Sequence, residues 1–198
     1  MFRTLFAFTL ALALPALSQS TQPIAVPANL HVPSGHVAFL QASATGSQNY
    51  VCLPSASGLA WKFQGPQATL FLKFRFLGTE VQQQVTTHYL SANPTEPGMP
   101  ARATWQSSLD TSTVWAKKIQ ESSDPAYVAP NAIPWLLLEV TGSRPGPMGG
   151  SALGMTSYIQ RVRTTGGITP TTPCTDAGAI EFVPYTTDYI FYRPTGRP

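Results

Sequence analysis

Short runs of alternating apolar and polar residues, separated by Gly, Pro, Ser and Asn, follow one another along the chain from residue 36 onward. The clearest run is Ala68 to Phe76, in which Ala, Leu, Leu, Phe and Phe alternate with Thr, Phe, Lys and Arg. A period of two is typical of a β-strand with one face in the core and the other mostly in water. No stretch of helical period persists between the prolines, so the pattern predicts strands throughout.

This reading divides the chain into ten or eleven short, mainly antiparallel strands. Such a series predicts a single all-β domain, either a β-sandwich or a barrel. The predicted strands are His36 to Ala42, Asn49 to Leu53, Leu59 to Phe63, Ala68 to Phe76, Val85 to Leu90, Ala103 to Gln106, Thr113 to Ile119, Ile133 to Val140, Thr156 to Gly167, Ala179 to Val183 and Asp188 to Arg193.

Two of these strands carry more information than the rest. Ile133 to Val140 is apolar on both faces and begins near Pro134, which predicts a central strand. In the strand from Thr156 to Gly167, Arg161 stands between Ile159 and Val162. A guanidinium in a sheet interior needs acceptors for its five donors. We expect these to be a carboxylate, with Asp188 and Asp110 the first candidates, or several backbone carbonyls.

The ends of the chain differ from this strand pattern. Residues 1–20 combine Arg3, an apolar run and small residues near Ser18, which predicts a signal peptide. Prolines make residues 21–34 an extended arm, residues 35–194 form the domain, and 195–198 are a tail. The segment Ser91 to Arg102, with three prolines and a glycine, is predicted to be a surface loop sensitive to proteases.

Charge and cysteine content indicate the compartment and exclude some partners. Of the 12 Lys and Arg residues, Arg3 lies in the leader, so 11 remain against 9 acidic residues, with no basic cluster that nucleic acid would require. The leader's apolar run is too short for a permanent membrane anchor, and no later stretch could span. We therefore expect a secreted protein, extracellular or periplasmic, in which Cys52 and Cys174 form a disulfide. The alternative is two free thiols in a metal or redox site, but a Cys-x-x-Cys spacing and a neighbouring His are lacking.

The sequence lacks the common motifs of metal-binding, catalytic and phosphate-binding sites. The three histidines, His31, His36 and His88, lack metal-binding spacing, and no Gly-x-Ser-x-Gly nucleophile motif occurs. The glycines from Gly142 to Gly154 lie among prolines with no helix to bind a phosphate group. The sequence therefore predicts no metal, no cofactor and no catalytic residue.

Several short runs come in the order found in one family of secreted bacterial and fungal proteins. The more specific are Ile133-Pro134-Trp135-Leu136-Leu137-Leu138 and Tyr158-Ile159-Gln160-Arg161-Val162. With them stand Tyr50-Val51-Cys52, Trp61, Ala68-Thr69-Leu70, His88-Tyr89, Thr104-Trp105, Asp110 to Val114, Thr164-Thr165-Gly166-Gly167, Cys174 and Tyr185 to Tyr192. The chain resembles the family called domain of unknown function 3455 over nearly all of its length after the leader.

The resemblance implies mainly that no activity has been assigned. Family members usually pass from the His-Tyr pair to the Thr-Trp pair through a very short turn, whereas this chain has the longer loop Ser91 to Arg102. Some fungal relatives carry a malate dehydrogenase name, but the glycine-rich strand-to-helix turn of a dinucleotide site is missing here. We conclude that this label does not fit the chain.

Within the family-like segments, six residues form a candidate polar cluster that is either a ligand site or a structural network. The structural interpretation places Asp110 in a turn and gives Arg161 a partner in Asp188 or a backbone carbonyl. The six residues are His88, Trp105, Asp110, Gln160, Arg161 and Asp188.

These observations predict a non-enzymatic binding or structural module of the envelope or extracellular space, whose partner is a carbohydrate or a cell-envelope component. Tryptophans 61, 105, 115 and 135 could stack on sugars, although Trp135 fits a core better. The alternative is a polysaccharide hydrolase that uses Asp110 with Asp188 or Glu139. An enzyme should bring two of these carboxylates together in a concave pocket. The sequence predicts neither the ligand nor the oligomeric state.

Overall fold

The computed structural model describes residues 23–92 and 100–196. The predicted signal peptide, most of the predicted loop Ser91 to Arg102 and the last two residues of the predicted tail lie outside the described residues. None of the helices in the described part of the chain is long and apolar enough to cross a membrane.

Eight antiparallel strands form one sheet, and the last strand pairs with the first to close a barrel. The all-β prediction is confirmed, and of its two forms the structure has the barrel. A single 3₁₀ turn, Ala28–Leu30, precedes the strands. The strands are β1 His36–Ser55, β2 Gly58–Phe76, β3 Thr79–Ser91, β4 Arg102–Ser107, β5 Thr113–Ser122, β6 Trp135–Arg144, β7 Tyr158–Gly166 and β8 Ile180–Pro194.

The strands are fewer and longer than predicted because residues typical of turns lie within them. β1 joins two predicted strands across a segment that contains Gly46. An added Cβ at Gly46 would lie 2.1 Å from the backbone oxygen of Gln67 and 2.6 Å from Ala68. Glycine therefore stands here because β1 and β2 approach closely, and not because the chain turns.

β2 and β8 are continuous for related reasons. β2 passes through Gly65 and Pro66, which lie beside a bulge where its register with Asn49 and Tyr50 of β1 shifts. Gly65 has a φ of 147°, and a bulge is one of the few places in a sheet that accept a Gly-Pro pair. β8 likewise joins two predicted strands into one that pairs with β1 along most of its length.

The barrel interior is filled by large aromatic residues facing small ones. Trp105 of β4 and Tyr185, Tyr189 and Phe191 of β8 are almost completely buried. On β1, the small residues Ala42 and Ala44 are buried against this space. This pairing of large with small residues fits the limited width of an eight-stranded barrel.

A second apolar cluster lies on the outside of the barrel. β6 is apolar on both faces because Leu138 belongs to the interior cluster, whereas Trp135 and Leu137 belong to the outer one. The N-terminal arm covers this outer face with Leu30, which is completely buried. Gln160 fixes the arm, since its side-chain amide donates to the backbone oxygen of Leu30 at 2.7 Å.

The predicted disulfide between Cys52 and Cys174 is present, with the two Cα atoms 5.5 Å apart. It joins the far end of β1 to the segment between β7 and β8. Backbone hydrogen bonds from Cys52 to Ala179 and from Gly178 to Cys52 accompany it. The bridge therefore fixes the end of the β1–β2 hairpin against the start of β8.

Removal of this bridge should lower stability without unfolding the barrel. The two cysteines are 122 residues apart, and the chain-entropy model gives about 4 to 5 kcal/mol as an upper figure for such a loop. The double variant Cys52→Ala, Cys174→Ser should lose up to about 4 kcal/mol in urea denaturation and keep its β-type circular dichroism spectrum. An unchanged free energy of unfolding would contradict this expectation.

The arm should also contribute measurably to stability. Leu30→Ala removes a fully buried side chain from the outer cluster, which costs about 2 to 4 kcal/mol when the site cannot collapse. The control is His31→Ala in the neighbouring exposed position, which should unfold at the wild-type urea concentration. If both variants match the wild type, the arm is not part of the folded core.

Candidate functional site

A cavity of about 310 Å³ opens at one end of the barrel. It lies where β3 ends and β4 and β6 begin. A more open groove of about 420 Å³ lies along β2 and β3, but no Lys, Arg, Asp or Glu is among its lining residues. We therefore take the barrel cavity as the candidate site. Its lining residues are Gln48, Phe63, Pro66, His88, Leu90, Ala101, Arg102, Ala103, Trp105, Ala116, Lys117, Lys118, Leu136, Leu138, Arg161 and Tyr189.

Arg161 is the lining cation whose charge acts on the buried residues His88, Tyr185 and Tyr189. It follows Ile159 by two positions on β7, so both side chains point into the barrel. The Nε and Nη2 groups of Arg161 donate to one acceptor, the backbone oxygen of Pro134, at 3.2 and 2.8 Å. Of the two kinds of partner expected for Arg161, a carboxylate or backbone carbonyls, the structure has the second, in the form of a single carbonyl. A further polar neighbour of Arg161 in the interior is the hydroxyl of Tyr189.

Three neighbouring side chains in the lining carry buried polar atoms without a partner. The structure gives no hydrogen-bond partner to Nε2 of Gln48, Nε1 of Trp105 or the hydroxyl of Tyr189. All three residues are at least 96% buried. The hydroxyl of Tyr185, next to Tyr189 in the interior, is likewise unpaired. Each of these atoms can donate a hydrogen bond, so the interior holds donors in excess.

The two phenols are held in their protonated form. Burial raises the pKa of Tyr185, and the neighbouring Tyr189 raises it further. Burial likewise raises the pKa of Tyr189. The cation of Arg161 acts in the opposite direction on both but does not outweigh burial. Both hydroxyls therefore remain available as donors near neutral pH.

His88 is held in its neutral form by the same environment. Burial lowers its pKa to about 3, a hydrogen bond to the Thr104 carbonyl opposes this, and the cation of Arg161 adds to it. Since that carbonyl lies 2.9 Å from Nδ1, Nδ1 carries the proton and Nε2 is an acceptor. The ring stacks on Trp105 with centroids 4.2 Å apart. His88 therefore lines the cavity as a neutral ring held in place by Trp105 and Thr104.

More cations lie at the mouth, and these are already engaged. Lys117 pairs with Glu139 at 3.0 Å, and Lys118 pairs with Glu121 at 2.6 Å. Arg102 also has an interaction partner. No Asp or Glu occurs among the residues that line the cavity. Arg161 therefore differs from the two lysines in that it donates to a neutral carbonyl and not to a carboxylate.

The structure brings together three of the six residues in the predicted polar cluster, namely His88, Trp105 and Arg161. Gln160 points to the outside of the barrel, where it bonds to Leu30 and to the hydroxyl of Tyr192. Asp188 also points outward, and its carboxylate accepts from Ser43 at 2.8 Å.

A bulge explains why Asp188 meets a different arginine. Strict alternation would place Arg163 on the same inner face as Arg161. However, the register of β7 with β8 shifts between Val162 and Thr165, and Arg163 has a φ of 52°. Its side chain is exposed and lies 3.5 Å from the Asp188 carboxylate. Asp188 thus pairs with Arg163, and the expectation that it pairs with Arg161 is corrected.

Asp110 lies at the opposite end of the barrel, in the turn between β4 and β5. Its carboxylate accepts from the N–H and hydroxyl of Ser112 and from the N–H of Ala152. Desolvation opposes ionisation, but these hydrogen bonds outweigh it and lower the pKa of Asp110 to about 2. The network holds the loop that contains Leu153, whose side chain is buried in the barrel core. Asp110 therefore closes the far end of the interior.

The carboxylates of the hydrolase alternative have separate places. Neither Asp110 nor Asp188 lines the cavity, and Glu139 pairs with Lys117 outside it. Among residues 23–92 and 100–196, no three His, Cys, Asp or Glu side chains are grouped as a metal site would need.

The tryptophans do not form a surface for stacking on sugars. Trp105, Trp115 and Trp135 are all at least 93% buried. Trp61 is partly exposed, but its ring N–H donates to the backbone oxygen of Thr172.

The sequence analysis missed Gln48, Tyr185 and Tyr189. Gln48 lies in a segment that was not predicted to be a strand, so nothing indicated its orientation. The two tyrosines carried a usable signal, because they are four residues apart and Phe191 follows two residues later, so even numbers separate all three. Alternation along one continuous strand would have placed all three on one face.

The cavity and the strands around it lie within a known family. A family model described as Protein of unknown function (DUF3455) matches residues 33–193. The chain belongs to this family. The match confirms the resemblance found in the sequence, and its range includes all the lining residues. No curated protein matches the chain. No solved structure matches it either.

The neutral state of His88 predicts a pH dependence of stability. A His with a pKa near 6.5 when unfolded and about 3 when folded stabilises the fold above pH 6.5, and that stability is lost as pH falls toward 3. Between pH 7 and pH 4.5 the loss from this group is about 2 to 3 kcal/mol. His88→Asn keeps a donor for Thr104 but removes the titrating ring.

Urea denaturation at both pH values measures the effect. The wild type should lose more stability than His88→Asn by that amount, and the exposed control His31→Asn should behave as the wild type does. Equal losses in the wild type and in His88→Asn would mean that His88 is not held neutral.

Proposed function

We propose that the protein is an exported, non-enzymatic binding module that takes a small molecule into the barrel cavity. The observation that carries the proposal is Arg161, a cation in the cavity lining that donates two hydrogen bonds to the neutral carbonyl of Pro134 and has no Asp or Glu beside it in that lining. Unpaired donors on Gln48 and Tyr189 share its cavity. Buried polar groups without partners cost free energy, and a bound molecule that accepts hydrogen bonds from them offsets that cost.

The size and position of the cavity support this proposal. A volume of about 310 Å³ is within the usual range of ligand sites, and barrel mouths are common places for them. The lining combines apolar walls with a few convergent polar groups, which is the usual composition of a small-molecule site.

The proposed place of action is the envelope or the extracellular space. The sequence of residues 1–20 favours export, and the Cys52–Cys174 disulfide is typical of an oxidising compartment. The expectation of a carbohydrate or cell-envelope partner stays a prediction. The polysaccharide hydrolase receives no support from the positions of Asp110, Asp188 and Glu139.

Blocking the cavity should abolish binding without unfolding the protein. Ala103 and Ala116 face each other in register and both line the cavity. Ala103→Phe fills space near the mouth, and Ala126→Phe is the matched control in an exposed loop. A thermal-shift screen of sugars, amino acids and organic acids should find stabilising compounds for the wild type and for Ala126→Phe, and none of these should stabilise Ala103→Phe.

Calorimetric titration of each hit should then give a site of one molecule per chain. Hits that bind Ala103→Phe as well as the wild type, or a screen without any hit, would contradict the proposal.

A further inference from the structure

We propose that the ligand of the barrel cavity is an organic monocarboxylate with an apolar body, bound with its carboxylate on Arg161. This inference rests on the proposed binding function and adds the chemical class of the ligand. Three features of the cavity support this inference. They are the unpaired hydrogen-bond donors, the positive charge of Arg161 and the apolar side chains in the rest of the lining.

The unpaired polar atoms around Arg161 act as donors. The amide Nε2 of Gln48, the indole Nε1 of Trp105 and the hydroxyl of Tyr189 all lack partners, and the first two can only donate. Neutral sugars offer donors and acceptors in nearly equal number, and a cluster of donors satisfies only half of them. A carboxylate offers acceptors alone, with about four lone-pair sites on two oxygens.

The charge inside the cavity selects a monoanion. Lys117 and Lys118 are paired with Glu139 and Glu121 at the mouth, whereas Arg161 donates to one neutral carbonyl. A single uncompensated cation is balanced by a single negative charge. A phosphate dianion would bring a second charge into a site whose two lysines are already paired with carboxylates. The planar guanidinium also matches a carboxylate in shape.

The rest of the lining is apolar, and the volume it encloses limits the size of the ligand. Phe63, Pro66, Leu90, Leu136 and Leu138 face the same space. A volume of about 310 Å³ corresponds to roughly ten water-sized groups. The site therefore suits a carboxylate of roughly ten non-hydrogen atoms, such as an arylalkanoic or medium-chain fatty acid.

The experiment compares two carboxylates with their uncharged amides. The probes are 3-phenylpropanoate and octanoate against 3-phenylpropanamide and octanamide, titrated into the full-length exported protein by isothermal calorimetry. Because a hydrogen-bonded charge is worth more than a neutral contact, each carboxylate should bind about tenfold or more tightly than its amide. Inorganic phosphate is the test of a simple anion, and it should bind more weakly than either carboxylate.

Two arginines on the same strand make a matched pair of variants. Arg161→Met should remove the preference for the carboxylate over the amide, whereas Arg163→Met, whose side chain is outside the barrel, should keep it. If Arg161→Met does not fold, Tyr189→Phe and Gln48→Met each remove one donor and should weaken carboxylate binding several-fold. Tyr192→Phe, a phenol outside the cavity bonded to Gln160, should leave that binding unchanged.

The outcomes separate this inference from the proposed function. If amides or sugars bind as tightly as carboxylates, and Ala103→Phe abolishes that binding, the cavity is a ligand site and the carboxylate assignment is wrong. Phosphate that binds more tightly than both carboxylates would likewise overturn the assignment. If no compound binds, both the proposed binding function and the carboxylate assignment are wrong. A carboxylate preference that persists in Arg161→Met would place the anion elsewhere and overturn the inference.

Discussion

The pairing of β8 with β1 is the constraint on which the rest of the molecule depends. From Ser43 to Val51, β1 is hydrogen-bonded on both sides, to β2 and to β8. This closure removes the sheet edges and fixes the width of the interior. The interior must then be filled from within, which explains why small residues on β1 face Trp105 of β4 and the aromatic residues of β8. Packing around a fixed width, more than any single contact, holds the fold.

The two ends of this interior have opposite chemistry. At one end, the Asp110 network holds Leu153 in the apolar core, and the carboxylate accepts three hydrogen bonds. At the other end, donors outnumber acceptors around Arg161, whose charge acts on His88, Tyr185 and Tyr189 together. Proteins commonly give up some stability where they bind or react. This asymmetry is the reason why we propose a ligand site at the Arg161 end and a structural role for the Asp110 end.

Much of the fold could be read from the sequence, because alternation and composition report local structure directly. The β character, the two-faced strand β6 and the disulfide all followed from the residues themselves. The continuity of β1 and β2 could not be predicted, because Gly46 and the Gly65-Pro66 pair are typical of turns, and only the approach of the neighbouring strand makes them necessary. Barrel closure depends on contacts between the two ends of the chain, which no local pattern encodes.

The candidate site was harder to predict for a related reason. Gln160 and Arg161 are adjacent on one strand, so they had to point in opposite directions. The residue types alone suggested one cluster. His88 and Trp105 face the same space as Arg161 because the barrel closes around them. Which polar residues share the interior thus depends both on the alternation of side chains along each strand and on the closure of the barrel. The sequence shows the alternation but not the closure.

The bulge in β7 sets how many charges the barrel contains. Without the extra residue between Val162 and Thr165, Arg163 would follow Arg161 onto the inner face. The interior would then hold two guanidinium groups, and Asp188 would lose its partner on the outside. The local conformation of the backbone, and not the number of arginines in the sequence, therefore decides how many positive charges lie inside the barrel. If the proposed monocarboxylate site is correct, deletion of one residue in this segment would shift the preference of the cavity from singly to doubly charged anions while leaving the amino-acid composition almost the same.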